Sequence, residues 1–269
     1  MSSPEPDPQG TKIYLLPNLM TAGNLFCGFA ALLAILDAVT LMNAGMDAAG
    51  KIHAAIWFIL GACIFDLLDG RLARLGGNES AFGREFDSLA DIVSFGVAPA
   101  LLVFHIVLRD FDRYGWLVAF VYLACGALRL ARFNCVAAQQ VNGQGPKDFE
   151  GFPIPAAAGL IASLTLFMLW LDAGQRTIGP WKYALPPLML FLSFMMFSKV
   201  SYPSFKAVNW RTRRSIPKFI ATIIVLFFTA MNYEWMPAMI FIAYLLYGMM
   251  RPVISNTWRR EIEAEIESE

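Results

Sequence analysis

Residues 53–75 read His-Ala-Ala-Ile-Trp-Phe-Ile-Leu-Gly-Ala-Cys-Ile-Phe-Asp-Leu-Leu-Asp-Gly-Arg-Leu-Ala-Arg-Leu. From Ala54 to Phe65 nothing is charged, and then Asp66 and Asp69 follow three positions apart. Crossing a bilayer takes about 20 mainly apolar residues. Lipid offers backbone groups no partner, so such a stretch is helical. The segment therefore predicts a membrane helix that ends on two carboxylates.

The same test along the chain predicts eight spans, at roughly 17–41, 53–75, 83–108, 115–138, 153–171, 183–200, 216–232 and 235–250. The last two are separated only by Asn232-Tyr233-Glu234 and are equally read as one broken segment. The first is too long for the apolar part of a signal peptide, and only Lys12 stands before it, so it is expected to be retained. Residues 1–11 are polar, rich in Ser, Pro and Asp, and expected to be disordered. No internal repeat of the transporter kind is present. The predicted fold is an all-α polytopic transmembrane bundle.

Composition agrees. The 269 residues are 57% hydrophobic and 16% charged, against about 25% charged in soluble domains. Lys plus Arg equals Asp plus Glu, 21 each, so bulk charge gives no case for nucleic acid. Cys27, Cys63, Cys125 and Cys135 lack metal-ligand spacing, and buried free thiols are expected rather than disulfides or a zinc site. With the N-terminus inside, sixteen of the 21 Lys and Arg fall on the inner side and five on the outer. Both termini are then expected to be cytoplasmic.

Ionisable groups at membrane depth are costly and point to function. Asp66 and Asp69 are spaced i, i+3, and Asp87 and Asp91 are spaced i, i+4, so each pair shares a helix face. One pair closes a span and the other opens the next, which gathers four carboxylates near the inner surface. Mg2+ or Mn2+ suits such an oxygen set, and two ions would form a clamp for displacement at phosphorus. Pairing of the acids with Arg71, Arg74 and Arg84 is the structural alternative. Gly70 and Ala73, one turn beyond Asp66 and Asp69, leave a shallow strip for a flat ligand or for close helix packing.

The pattern D-x2-D-G-x2-A-R-x8-G-x3-D-x3-D over residues 66–91 resembles the signature of the CDP-alcohol phosphotransferases. Five flanking stretches are similar to the bacterial branch of that family that uses L-serine. They are Leu16-Pro-Asn-Leu-Met-Thr-Ala-Gly-Asn24, Phe86-Asp-Ser-Leu-Ala-Asp-Ile-Val-Ser-Phe-Gly-Val-Ala-Pro99, Leu128-Arg-Leu-Ala-Arg-Phe-Asn134, Gly151-Phe-Pro-Ile-Pro155 and Ser198-Lys-Val-Ser-Tyr-Pro-Ser-Phe-Lys206. The resemblance implies transfer of a phosphatidyl group from CDP-diacylglycerol to L-serine with release of CMP. It implies metal ligation by Asp66, Asp69, Asp87 and Asp91, with Asp91 also the general base. CDP contacts would come from Gly70, Ala73, Arg74 and Gly83 beside Asp66 and Asp69, and Asn18 and Thr21 are further candidates for that contact. The resemblance further implies a six-span core over 12–206 with added helices over 207–250, a homodimer, and a bacterial inner-membrane location among membrane lipids; residues 251–269 read from their own charges as a cytoplasmic tail.

Arg129, Arg132 and Asn134 close the fourth span, and guanidinium forks suit the serine carboxylate. The positive-inside bias accounts for the two arginines equally simply. Lys206 is a candidate diphosphate or lipid contact within a basic loop. Asn18, Thr21 and Asn24 form a polar stripe able to bond a nucleotide or a neighbouring helix. A metal bound to Asp91 would weaken it as a base, so either that residue is loosely coordinated or the metal also acidifies the acceptor hydroxyl. Two other readings stay open: a sister transferase using glycerol phosphate, inositol phosphate or choline, and a divalent-cation transporter.

Overall fold

The computed structural model describes residues 15–75, 81–141, 151–171, 180–198, 225 and 227–250. The expectations for residues 1–11, Lys206, the tail and most of 216–232 lie outside these residues. Within them the chain is helical, with α1 (Leu15–Asn43), α2 (Ala49–Leu75), α3 (Ala81–Asp91), a π-helical segment (Ile92–Val97), α4 (Ala98–Ile106), α5 (Gly115–Val141), α6 (Ile154–Leu171), α7 (Leu185–Phe197) and α8 (Met236–Met250). Five helical stretches are long and apolar enough to cross a membrane: Leu16–Asn43, Ala49–Leu72, Phe82–Ile106, Gly115–Val136 and Ile154–Leu171. This is an integral membrane bundle.

α1 and α2 form an antiparallel hairpin packed along its length. Gly45, at φ 69°, closes α1. Its N–H bonds Met42 O at 3.1 Å and the Met46 N–H bonds Leu41 O at 2.9 Å, a Schellman close that favours glycine. Ala31, Ala34, Ile35 and Ala38 of α1 are buried, while Phe26, Phe29, Leu33 and Leu36 face outward. Apolar residues on both faces fit a helix with protein on one side and lipid on the other.

α6 lies at the centre, touching α2, α4, α7, α8 and the π segment. Ala156, Ala157, Ala158, Gly159 and Ala162 are buried along it, and small residues let membrane helices approach closely. The Phe241 ring of α8 occupies the space a side chain at position 159 would take.

Three expectations change. The third span is not one α-helix: after Asp91 it widens into a π turn, where the Ala98 N–H bonds Val93 O five residues back. Pro99 follows directly and has no N–H to give the carbonyl of Phe95. The sixth expected span, 183–200, is a 3-10 turn (Pro180–Ala184) followed by only 13 residues of α-helix, about 20 Å long. The break expected at Asn232-Tyr233-Glu234 is present: turn residues 232–235 separate α8 from the helical residues before it, with Trp235 N–H bonded to Asn232 O. The cysteines are free, but Cys125 is only half-buried and Cys135 is exposed; Cys27 and Cys63 are buried as expected.

Candidate active site

α2 carries Asp66 and Asp69 on its last turns, and α3 returns with Asp87 and Asp91. The i, i+3 and i, i+4 spacings turn each pair toward the neighbouring helix. Carboxylate oxygens of Asp66, Asp69 and Asp87 lie within 4.8 Å of one another. At an effective dielectric of about 20, like charges so close repel by roughly 3–4 kcal/mol per pair. Asp69 is buried, and Asp66 and Asp87 are half-buried. Three hard oxygen donors from two helices fit a hard divalent cation.

Asp91 stands outside that group of three. It is buried, and its Oδ1 accepts a 3.0 Å hydrogen bond from Asn24 Nδ2 of α1. The backbone carbonyl of Asn24 accepts in turn from the Ser94 hydroxyl, 2.9 Å away in the π segment. α1 comes this close only because residue 28 is glycine: a Cβ there would run into Ser94. The helix bearing Asp91 is thus bound to α1 at the carboxylate and again three residues beyond it.

The hydroxyl of Thr21 lies 3.1 Å from Asp69 Oδ2 and 3.2 Å from Pro17 O. It has one proton and serves one of these acceptors at a time. Two residues of the α1 polar stripe therefore meet the acids directly. Asn18 is half-buried, and its Nδ2 has no hydrogen-bond partner among the described residues. Gly70 and Gly83 are half-buried on α2 and α3. Ala73 and Arg74 belong to α2, but their side chains lie outside the described residues.

On α5, Arg129 is half-buried within electrostatic reach of Asp91, Tyr244 and Asp66. Its Nε is buried without a hydrogen-bond partner among the described residues. Arg132, one turn on, is exposed. Asn134 Nδ2 donates to Ser88 Oγ at 3.0 Å and to Glu85 Oε2 at 3.2 Å, tying α5 to α3. The three expected acceptor contacts thus part: one borders the acids, one faces outward, and one links helices.

Residues 14–195 match the family model described as CDP-alcohol phosphatidyltransferase. The chain belongs to the CDP-alcohol phosphatidyltransferase family. Among curated proteins similar to this family member is the CDP-diacylglycerol–serine O-phosphatidyltransferase of Helicobacter pylori, 34% identical over 89% of this chain and 91% of that one. The enzyme of the same name from Bacillus subtilis is 34% identical over 71% of this chain and 91% of its own length. The archaetidylserine synthase of Methanothermobacter thermautotrophicus is 34% identical over 73% of each.

Several residues near the site carried no sequence signal of their own. Ser94 and Tyr122 read as ordinary members of apolar spans. Tyr244 reaches the neighbourhood of Arg129 from α8, where its ring packs 5.7 Å from that of Phe152. Asn24 had a signal, its i+3 spacing from Thr21, which did not reveal that the partner would be a carboxylate.

Proposed function

We propose that this protein is a phosphatidylserine synthase, transferring the phosphatidyl group of CDP-diacylglycerol to L-serine and releasing CMP. The observation that carries this is the convergence of Asp66, Asp69 and Asp87 within 4.8 Å, beside a separately held Asp91. The serine transferases among its relatives support the acceptor.

Asp66, Asp69 and Asp87 would hold Mg2+ or Mn2+, one ion or two, with Asp91 at the margin of the set. Such cations neutralise the diphosphate and the charge that develops on departing CMP. Asp91 takes the proton of the serine hydroxyl as its oxygen bonds to the diacylglycerol-linked phosphorus. The phosphorus–oxygen bond to CMP breaks, and CMP leaves with the electron pair. Thr21 fixes Asp69. Asn18, Gly70, Ala73, Arg74 and Gly83 contact the CDP moiety. Arg129 receives the serine carboxylate, Arg132 and Asn134 stand on the same helix beyond it, and Lys206 is assigned a contact with diphosphate or lipid. Residues 12–206 form the catalytic core and 207–250 are an addition to it. The family match ending at residue 195 supports that division. The site opens to the cytoplasm, with both termini on that side of a bacterial inner membrane, and the protein works as a homodimer.

The test is CMP release by purified protein in micelles of CDP-diacylglycerol, with each of serine, glycerol phosphate, inositol phosphate and choline. Release that needs both serine and Mg2+ or Mn2+ is expected. Full release in excess chelator, or with another alcohol in place of serine, would overturn the reading.

A further inference from the structure

Two buried polar atoms of opposite character, one beside Asp91 and one within electrostatic reach of it, have no hydrogen-bond partners among the described residues. One is a donor, Arg129 Nε; the other is an acceptor, Asn24 Oδ1. Asn24 is fully buried. A buried amide oxygen left unsatisfied is costly and rare enough to need an explanation. The orientation of this amide is set by its surroundings: Nδ2 faces the carboxylate at 3.0 Å, and turning it over would set oxygen against oxygen. Oδ1 shares its carbon with that nitrogen, so the free acceptor lies immediately beside Asp91.

An L-serine molecule presents the complementary set. Its hydroxyl and ammonium sit on adjacent carbons, and its carboxylate lies on the far side of the ammonium-bearing carbon. A hydroxyl at Asp91 brings the ammonium next to that carboxylate, where Asn24 Oδ1 is the waiting acceptor, and leaves the carboxylate for Arg129. We propose that Asn24 is a specificity residue whose Oδ1 accepts a hydrogen bond from the α-ammonium of the acceptor, so that the pocket selects amino alcohols. This rests on the serine-transferase reading above. It makes the first helix, rather than the arginines alone, a determinant of acceptor choice.

The experiment compares L-serine with 3-hydroxypropionate, which is serine without its amine, and with ethanolamine, which is serine without its carboxylate. KM is measured for serine, and the two analogues are measured as inhibitors of serine-dependent CMP release. Because Asn24→Ala also removes the donor to Asp91, the informative quantity is the ratio between acceptors, in which that common loss cancels. Hydrogen bonds to charged groups set the scale, about 10- to 150-fold in affinity. Relative to 3-hydroxypropionate, Asn24→Ala should weaken serine and ethanolamine by that factor. Asn24→Asp, which keeps an acceptor oxygen, should restore the preference for the amine. CDP-diacylglycerol KM in the same preparations reports whether the site is intact. Equal weakening of all three compounds, or an unchanged ratio, would overturn the proposal. If wild-type protein releases no CMP with serine, the reading of the function itself fails; if it does and the ratio is unmoved, only the role of Asn24 fails.

Discussion

Tyr122 donates its phenol proton to the carbonyl of Phe95 at 3.0 Å, joining α5 to the middle of the π turn. Both side chains are fully buried. That carbonyl cannot bond the residue four positions on, because Pro99 has no N–H. π turns are rare and gather at functional sites; this one begins at the residue after Asp91. Tyr122→Phe keeps the ring and removes only the donor. Leaving the carbonyl short of a partner should cost about 1–3 kcal/mol. The midpoint of unfolding in micelles should fall accordingly, and an unchanged midpoint would remove Tyr122 from the account of the turn.

Thr21→Val keeps the shape of the side chain and removes the hydroxyl facing Asp69. Groups that orient metal-binding carboxylates typically contribute about 10- to 100-fold in metal affinity. The concentration of Mn2+ needed for half-saturation, measured by its own paramagnetic signal without substrate, should rise within that range. Unchanged Mn2+ binding would leave Thr21 as a helix contact or a nucleotide contact.

How far the sequence carried these conclusions depends on what kind of information each needed. α1, α2, α5 and α6 announce themselves, because a long uncharged run leaves no other structure open in lipid. Asp66, Asp69, Asp87 and Asp91 were legible for the complementary reason, being charges placed where charge is costly. The π turn was not legible: Pro99 signals a missing hydrogen bond but not how the chain absorbs it, and that depends on Tyr122 arriving from another helix. The separation of Asp91 from the other three acids depends in the same way on Asn24, 67 positions earlier in the chain. Periodicity shows which residues share a face; it does not show which face of which helix comes opposite.

At the other end of the bundle, Lys182 donates to Asp110 Oδ2 at 2.6 Å and Tyr183 Oη lies 3.3 Å from the same oxygen. The hydrogen bond from Lys182 is the main reason the Asp110 carboxyl sits below its ordinary range. A depressed carboxylate stabilises the fold above its unfolded pKa, and the gain is lost as pH falls through the folded value. The pair is exposed, so Lys182→Met should cost less than about 1 kcal/mol at pH 7. The difference from wild type should shrink as pH drops below the ordinary carboxyl range. Unfolding midpoints at both pH values check this, and a difference that grows on acidification would contradict it.

Cys135 is exposed at the end of α5, whereas Cys27 and Cys63 are buried. A membrane-impermeant maleimide should label Cys135 in inverted vesicles and not in right-side-out ones, if the acid-bearing end of the bundle is cytoplasmic. The reverse pattern would invert the orientation taken from the Lys and Arg distribution.

The most direct measurement is on Asp91→Asn, comparing CDP-diacylglycerol binding with serine-dependent CMP release in one preparation. Asn can still take part in a hydrogen bond with Asn24 but cannot accept the serine proton. Loss of a general base typically lowers rate by about 10²–10⁴-fold. Binding of the CDP-lipid should be retained while turnover falls within that range; near-wild-type turnover would contradict the assignment of Asp91 and, with it, the division of the four acids into a cation-binding three and a proton-accepting one.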